Sequence, residues 1–324
     1  MNYFKMISCT GKRILLVDLL IPLYVHRINL WKMKVISNKR ELDKLRSYAT
    51  VFSSTSFSKL LHRNDYSFIN AKIERYDFQK VGKEIHTYHD YIQYIYRELR
   101  KQYRNEYIYK NTFINDLLIN KYGVKDTIAI NEFRVGNSIA DIVMFNGTSK
   151  AFEIKTELDS NKRLSGQLSD YTKIFKSCYI VTHESLSEKY LREDDNIGVI
   201  ELVERSKSLV MQEVRAAKEN SFIDPETLIH AIRTSEYKSI VKQYYGFLPE
   251  MNSFNMFEIC KGLMKQIPHE HLNDLFISEL KKRKSNTDII KTFPDELRQL
   301  CFAMNINAKS YHDLNYKLSE NINL

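Results

Sequence analysis

Apolar residues recur every three or four positions over much of the chain, which is the period of amphipathic helices. Between Ile85 and about Leu118 this pattern is strong and predicts one long helix, until Gly123 breaks it. The apolar stripe of that helix consists of Ile85, Tyr88, Ile92, Ile95, Leu99 and Tyr103. Residues 38–62 predict two short helices, separated by the Ser/Thr cluster at 53–58.

After Gly123 the pattern becomes extended. Residues 127–135, 138–145 and 150–156 predict three strands, and the dipeptide Asn146-Gly147 between the last two is a hairpin signal. A helix is predicted next, over 161–176, with Asp159 or Ser160 as its N-cap. Two short apolar runs, 178–182 and 197–203, have the composition of buried strands. These elements predict an α/β core of the α+β type, with a small mixed sheet flanked by helices.

From about residue 206 onward the pattern predicts helices throughout. The clearest helix start is Asp224-Pro225-Glu226, with Asp224 as the cap and Pro225 at the first helical position. Further starts are predicted near Ser253, Pro268 and Pro294. We therefore expect three regions: a basic helical region over 1–84, the α/β core over 85–205, and a helical accessory domain over 206–324.

The net charge of +9 lies almost entirely near the N-terminus, where residues 1–90 contain 16 Lys and Arg against 8 Asp and Glu. A polyanion such as DNA or RNA would suit this segment, and a solvated basic face explains it equally well. The composition, 43% hydrophobic and 27% charged, excludes wholesale disorder and a polytopic membrane protein. The 4 cysteines lie far apart without a CxxC pair, which fits a reducing compartment and predicts a cytoplasmic protein.

The apolar run at 14–25 is too short to span a bilayer, which needs about 20 residues, and no signal-peptide cleavage site follows it. It predicts a buried helix or an extension outside the native fold, and Met33 is an alternative start.

One Glu-x-Lys triplet is a candidate for chemistry. The chain contains three such triplets, but Glu236/Lys238 and Glu279/Lys281 lie in helical patterns, where positions i and i+2 point apart. Glu153 and Lys155 lie on a predicted strand, where positions i and i+2 share a face.

Asp141 shares that face if the hairpin loop has an odd number of residues. A three-residue loop, Phe145-Asn146-Gly147, with Gly147 in the left-handed conformation, pairs Asp141 with Ala151 and brings Asp141, Glu153 and Lys155 together. Two carboxylates form an oxygen site for Mg²⁺ or Mn²⁺, and a lysine can hold the attacking water or the transition state of phosphodiester hydrolysis. The alternative is an ordinary ion pair at the end of a strand.

The helix after this strand presents Arg163, Gln167 and Tyr171 at positions i, i+4 and i+8, which lie on one face. Gln167 would then lie near the metal-bound water and Arg163 near a backbone phosphate. The alternative is a polar helix flank.

These residues resemble the PD-(D/E)XK nuclease superfamily. Asp141 matches the aspartate of its first motif, Glu153-Ile154-Lys155 matches (D/E)-x-K, and the segment from Gln167 to Tyr171 looks like the Q-x-x-x-Y signature of the RecB-like and Cas4-like branch. The stretch 127–182 also resembles a poorly characterised bacterial family with the pattern R-A-D-I…E-I-K…R-L…Q…Y. One position departs from it, because the family arginine two residues before Asp141 is Ile139 here, or Ser138 if the register shifts by one.

The resemblance implies a restriction-endonuclease-like fold over roughly 95–205 and a Mg²⁺- or Mn²⁺-dependent deoxyribonuclease. It implies that Asp141 and Glu153 bind metal, with Glu132 as a lesser candidate, that Lys155 assists the water, and that Gln167 and Tyr171 orient the site. The alternative is an inactive nuclease-fold protein that binds nucleic acid or a protein partner, and RNA is the second substrate. A role in anti-phage defence or in a mobile element, a homodimer or a protein partner, and no membrane association are further expectations.

Overall fold

The computed structural model describes residues 39–206 and 208–324, so the apolar run at 14–25 and Met33 lie outside the described residues. The chain divides into two units, Met1–Lys44 and Leu45–Leu324. Of the first unit, only 39–44 are described, as the start of a helix. The sheet and every side-chain contact reported below lie in the second unit.

The extended central part of the sequence forms six strands, β1 to β6, which are Ile128–Val135, Ser138–Phe145, Ser149–Lys155, Ser177–His183, Gly198–Arg205 and Ser208–Arg215. They lie in chain order in one mixed sheet. The strands β1 to β3 are antiparallel, β3 to β5 are parallel, and β6 returns antiparallel to β5. This arrangement confirms the predicted α+β class with a mixed sheet.

The described residues also contain thirteen α-helices. They are Lys39–Ala49, Ser54–Arg63, Ser67–Lys72, Tyr88–Gln102, Glu106–Phe113, Leu164–Tyr171, Glu184–Leu191, Pro225–Ala231, Thr234–Tyr245, Met256–Met264, His269–Leu280, Arg298–Ala303 and Ala308–Leu318. Short π and 3₁₀ segments lie at Ile73–Asp77, Phe78–Lys80, Ile114–Tyr122 and Ile290–Thr292. No helix in this part of the chain is long and apolar enough to cross a membrane.

The predicted single helix over 85–118 is wrong, because it is two helices. The first, Tyr88–Gln102, begins at a capping box between Thr87 and Asp90 and buries most of the predicted stripe. Its backbone leaves the helical region at Tyr103 (φ −146°, ψ 83°), and a second helix starts at Glu106. No proline or glycine marks this break, so the periodicity continues through it.

The expectation that residues after 206 are entirely helical is also wrong. Ser208–Arg215 forms β6, which pairs with β5, so the predicted boundary after residue 205 falls inside a hairpin. The backbone N–H of Met211 donates to Asp116 Oδ2 at 2.6 Å, which ties β6 to the segment Ile114–Tyr122. The helix start at Asp224 is confirmed, because its side chain accepts from the N–H groups of Glu226 and Thr227.

The helix predicted over 161–176 is shorter than expected and has a different cap. It spans Leu164–Tyr171 and follows Arg163, whereas Asp159 caps a separate turn by accepting from the N–H of Thr156 at 2.8 Å. Buried side chains of this helix join the hydrophobic core on one face of the sheet, together with Val143, Phe145 and Ala151. This packing places the helix against β2.

Candidate functional site

The β2–β3 hairpin aligns the two candidate carboxylates. Phe145 pairs with Ser149, so the loop contains three residues, Asn146, Gly147 and Thr148. The odd loop length and the positive φ of Gly147 (+91°) agree with expectation, but the predicted pairing of Asp141 with Ala151 is wrong. Ala151 pairs with Val143, and the same register, continued by two residues, places Asp141 opposite Glu153. The shift preserves the shared face because it moves the register by an even number of residues.

The carboxylate of Glu153 lies in the interior and accepts from three side chains. Lys155 Nζ donates to Oε1 at 2.8 Å, Gln167 Nε2 donates to the same oxygen at 2.6 Å, and the Tyr171 hydroxyl lies 2.8 Å from Oε2. Glu153 is only 3% exposed. Burial and the negative charge of Asp141 raise the pKa of Glu153, and the hydrogen bond from Lys155 opposes this shift.

Asp141 is held by a main-chain donor and by a lysine that sequence reasoning missed. The N–H of Ile154 donates to Oδ2 at 2.7 Å, and Lys110 Nζ lies 2.9 Å from Oδ1. Lys110 also lies 2.5 Å from Glu106 Oε1. Burial alone would lower the pKa of Lys110, but the two carboxylates outweigh it and the pKa is raised. No motif marks Lys110, because it lies on a helix distant in sequence from the strands.

Gln167 and Tyr171 reach the site from one face of the helix Leu164–Tyr171, as their spacing predicts. The Gln167 side chain bridges Glu153 and Lys155, since its Nε2 donates to Glu153 and its Oε1 accepts from Lys155 Nζ at 3.1 Å. The Tyr171 hydroxyl lies 2.8 Å from both Glu153 and the carbonyl of Ile139, and it can donate to either. Burial, followed by the charge of Glu153, raises the pKa of Tyr171, so the phenol stays protonated and donates.

Two of the predicted site residues do not join this network. Arg163 is exposed, and its side chain has no hydrogen bond or ion pair with another described residue. Glu132 is also exposed and has no contact with the carboxylates among the interactions of the described chain. Its main chain has a φ of +56°, a strained conformation for a glutamate, at the position of β1 across from Asp141.

A second polar group lies beside the site, at the carboxyl ends of β3 and β4. The Tyr109 hydroxyl donates to Glu157 Oε2 at 2.6 Å, and His183 Nε2 lies 3.5 Å from Glu157 Oε1. His183 Nδ1 accepts from the N–H of Ser185 at 3.1 Å, which favours a neutral ring. Burial lowers the pKa of His183, in agreement with that state. Sequence analysis missed this group, although His183 and Glu157 each follow a predicted strand closely.

The donor chemistry of the site fits a divalent cation in part. Glu106, Asp141 and Glu153 face the ammonium groups of Lys110 and Lys155, so one negative charge is in excess. The described residues contain no group of three or more His, Cys, Asp or Glu side chains arranged to hold a metal. Two carboxylates are nevertheless a usual protein contribution to a Mg²⁺ site, in which waters and substrate phosphate provide the other ligands.

The sequence is similar to one known family. The family model for bacteriophage P4 protein cII matches residues 99–300, a range that contains the whole site. Protein cII of Enterobacteria phage P4 is 30% identical over 142 residues, which are 43% of this chain and 50% of that protein. The chain thus spans about half the length of this curated relative.

A solved structure, the SPO1766 protein of unknown function from Silicibacter pomeroyi, matches 45% of this chain and 94% of its own. The sequence identity is 12% and the TM-score is 0.29, so no functional argument follows from it.

Proposed function

The chain belongs to the family of bacteriophage P4 protein cII, and from the geometry of its site we propose that it is a metal-dependent nuclease that hydrolyses DNA. The observation that carries the proposal is that the Asp141 carboxylate, bound by the N–H of Ile154, lies next to Glu153, whose carboxylate binds Lys155. This arrangement has the residue types and the shared face that the PD-(D/E)XK resemblance requires. The phage origin of the relative favours a mobile-element role over anti-phage defence.

Asp141 and Glu153 would hold Mg²⁺ or Mn²⁺. Burial and, after it, the negative charge of Asp141 raise the pKa of Glu153, and a divalent cation between the two carboxylates would offset both costs. When bound, such a cation lowers the pKa of a coordinated water and stabilises negative charge on phosphate oxygens.

The other polar residues of the site prepare it for this chemistry. Lys155 uses two of its three N–H donors on Glu153 and Gln167, which leaves one for a phosphate oxygen or the attacking water. Gln167 and Tyr171 are positioning residues, because they fix the Glu153 carboxylate from the neighbouring helix. Lys110 does the same for Asp141.

A second function remains a candidate: a nuclease-fold protein that binds nucleic acid or a partner without cleaving. The observation that favours it is the satisfaction of all four carboxylate oxygens of Asp141 and Glu153 by donors of the chain itself. A network of this kind is stable without a cation.

A cleavage assay on the full chain separates the two functions. The substrates are linear, circular and single-stranded DNA and RNA, each with Mg²⁺, Mn²⁺ or EDTA. The site variant is Glu153→Gln/Lys155→Gln, and the matched control, Lys121→Gln/Glu213→Gln, removes an ion pair outside the site.

The nuclease proposal expects metal-dependent cleavage of DNA that falls at least about 100-fold in the site variant and persists in the control. Cleavage that survives in the site variant contradicts the assignment of these residues. Absence of cleavage with every metal, together with DNA binding in EDTA, supports the second function.

A further inference from the structure

Two adjoining hollows on the C-terminal helical region have a basic lining. The first, of about 760 Å³, contains Arg233, Lys238 and Lys242 and no acidic residue. The second, of about 620 Å³, shares Arg233 and Ser235 with the first, so the two are continuous. We call this surface the basic groove and define it by its six cations, Arg233, Lys238, Lys242, Lys282, Arg283 and Lys284.

The two acidic residues of the basic groove are already neutralised. Glu236 receives two hydrogen bonds of 2.7 Å from Arg283, and Glu279 lies 2.5 Å from Lys282. The remaining cations, Arg233, Lys238, Lys242 and Lys284, have no short ion pair with a described residue; the contact of Arg233 Nε with Glu236 measures 4.0 Å. The basic groove therefore carries about four uncompensated positive charges.

The fold holds these charges in fixed positions. Lys238 and Lys242 are four residues apart on the helix Thr234–Tyr245 and so point the same way. Ser239 and Gln243 of the same helix each hydrogen-bond Glu279 of the helix His269–Leu280, at 2.9 and 3.0 Å. The two helices are thus locked together on either side of the basic groove.

The Arg283 guanidinium lies 5.4 Å from the centre of the Phe133 ring of β1. This contact anchors the basic groove to the sheet that carries the candidate site.

We propose that the basic groove binds the phosphate backbone of duplex DNA. A surface with several cations whose acidic neighbours are already paired with Arg283 and Lys282 matches a polyphosphate backbone. The first hollow has no aromatic lining residue and Phe302 of the second is buried, so the described lining has no platform on which unpaired bases would stack.

The position of the basic groove agrees with this partner. Its second hollow reaches Ala129–Asn131 of β1, and the next residue, Glu132, lies across from Asp141. A duplex held there would continue toward the candidate site. The inference extends the proposed function by a binding surface and does not depend on cleavage.

The test measures binding of a labelled 20-base-pair duplex to the full chain by fluorescence anisotropy, in EDTA, over a series of salt concentrations. The groove variant is Lys238→Gln/Lys242→Gln. The matched control is Lys218→Gln/Lys309→Gln, which removes two exposed lysines outside the basic groove. Thermal unfolding verifies that both variants fold.

We expect the slope of log K against log salt to become shallower by about 1.8 in the groove variant, or about 0.9 per lost phosphate contact, and to stay unchanged in the control. An unchanged slope in the groove variant overturns the proposal, as does a change seen only with a single strand of the same sequence. The binding test is run in EDTA, so it does not depend on metal-dependent cleavage. If the slope changes as expected but the cleavage assay shows no cleavage, only the nuclease proposal is contradicted and the binding surface stands.

Discussion

Lys110 compensates the negative charge of Asp141, although no motif in the sequence marks it as a site residue. It is 6% exposed, and its ammonium group lies between Glu106 and Asp141. A lysine is buried this deeply only when anions compensate the loss of hydration. Without it, Asp141 would face Glu153 with no cation of its own.

We predict that Lys110→Met lowers the free energy of unfolding by about 2–3 kcal/mol, because it leaves the partly buried carboxylate of Asp141 without its cation. Glu106→Gln should cost less than about 1 kcal/mol, since the Glu106 side chain is 56% exposed and Lys110 keeps Asp141. Urea unfolding of both variants measures the difference. Equal losses would show that Lys110 does not stabilise Asp141.

The β2–β3 hairpin is the element that brings the two carboxylates together. Its register follows from a three-residue loop, and Gly147 provides the positive φ that this loop needs. No atom lies within 4 Å of the position of a Cβ at Gly147, so only the backbone conformation selects glycine there.

We predict that Gly147→Ala destabilises the protein by about 1–2 kcal/mol through backbone strain and leaves the register unchanged. Gly166→Ala is the matched control, because Gly166 lies in the helix Leu164–Tyr171 with an equally open Cβ position and no positive φ. That substitution should be neutral or stabilising. Thermal unfolding compares the two, and an equal effect would refute the strain argument.

At the scale of the whole molecule, the C-terminal segments return to the helices that precede the sheet. The N–H of Ile322 donates to the carbonyl of His86 at 3.0 Å, and His89 Nε2 lies 2.6 Å from Glu296 Oε1. The Tyr107 hydroxyl donates to the Glu296 carbonyl at 2.6 Å. Residues at least 189 positions apart in sequence thus join the C-terminal segments to the helices before the sheet.

The His89–Glu296 pair gives this closure a pH dependence. The hydrogen bond to Glu296 raises the pKa of His89, with burial acting against it. Protonated His89 therefore stabilises the fold, and this contribution is complete at pH values below about 6.5, the pKa of histidine in the unfolded chain. It is lost as the pH rises through the pKa of His89 in the folded protein. The pKa of Glu296 is lowered: burial opposes this shift, but the bond to His89 outweighs it, so its contribution is lost in acid.

We therefore predict that His89→Ala costs about 1.5–3 kcal/mol of unfolding free energy near pH 5.5 and progressively less toward pH 9. His312→Ala, at an exposed position, should have a small effect at every pH. Urea unfolding across this range tests both variants. A cost for His89→Ala that does not change with pH would contradict the charged pair.

Local patterns determined much of this protein. The extended pattern of 138–145 and 150–156, the Asn146-Gly147 signal and the strand position of Glu153 and Lys155 were enough to predict the hairpin and the shared face, because a shared face depends only on the strand period of two and on a turn with one glycine. The spacing of Gln167 and Tyr171 predicted their common face for the same reason. The nuclease chemistry drawn from these residues stays a prediction.

Only the tertiary structure decided the rest. Lys110 reaches Asp141 from a separate helix. No proline or glycine marks the helix break at Tyr103. Residues 208–215 form the strand β6 because they pair with the edge of β5. The basic groove likewise depends on two helices packing side by side. Contacts between distant segments arise from packing of the whole unit. The local sequence around a residue does not determine which distant residue it will contact.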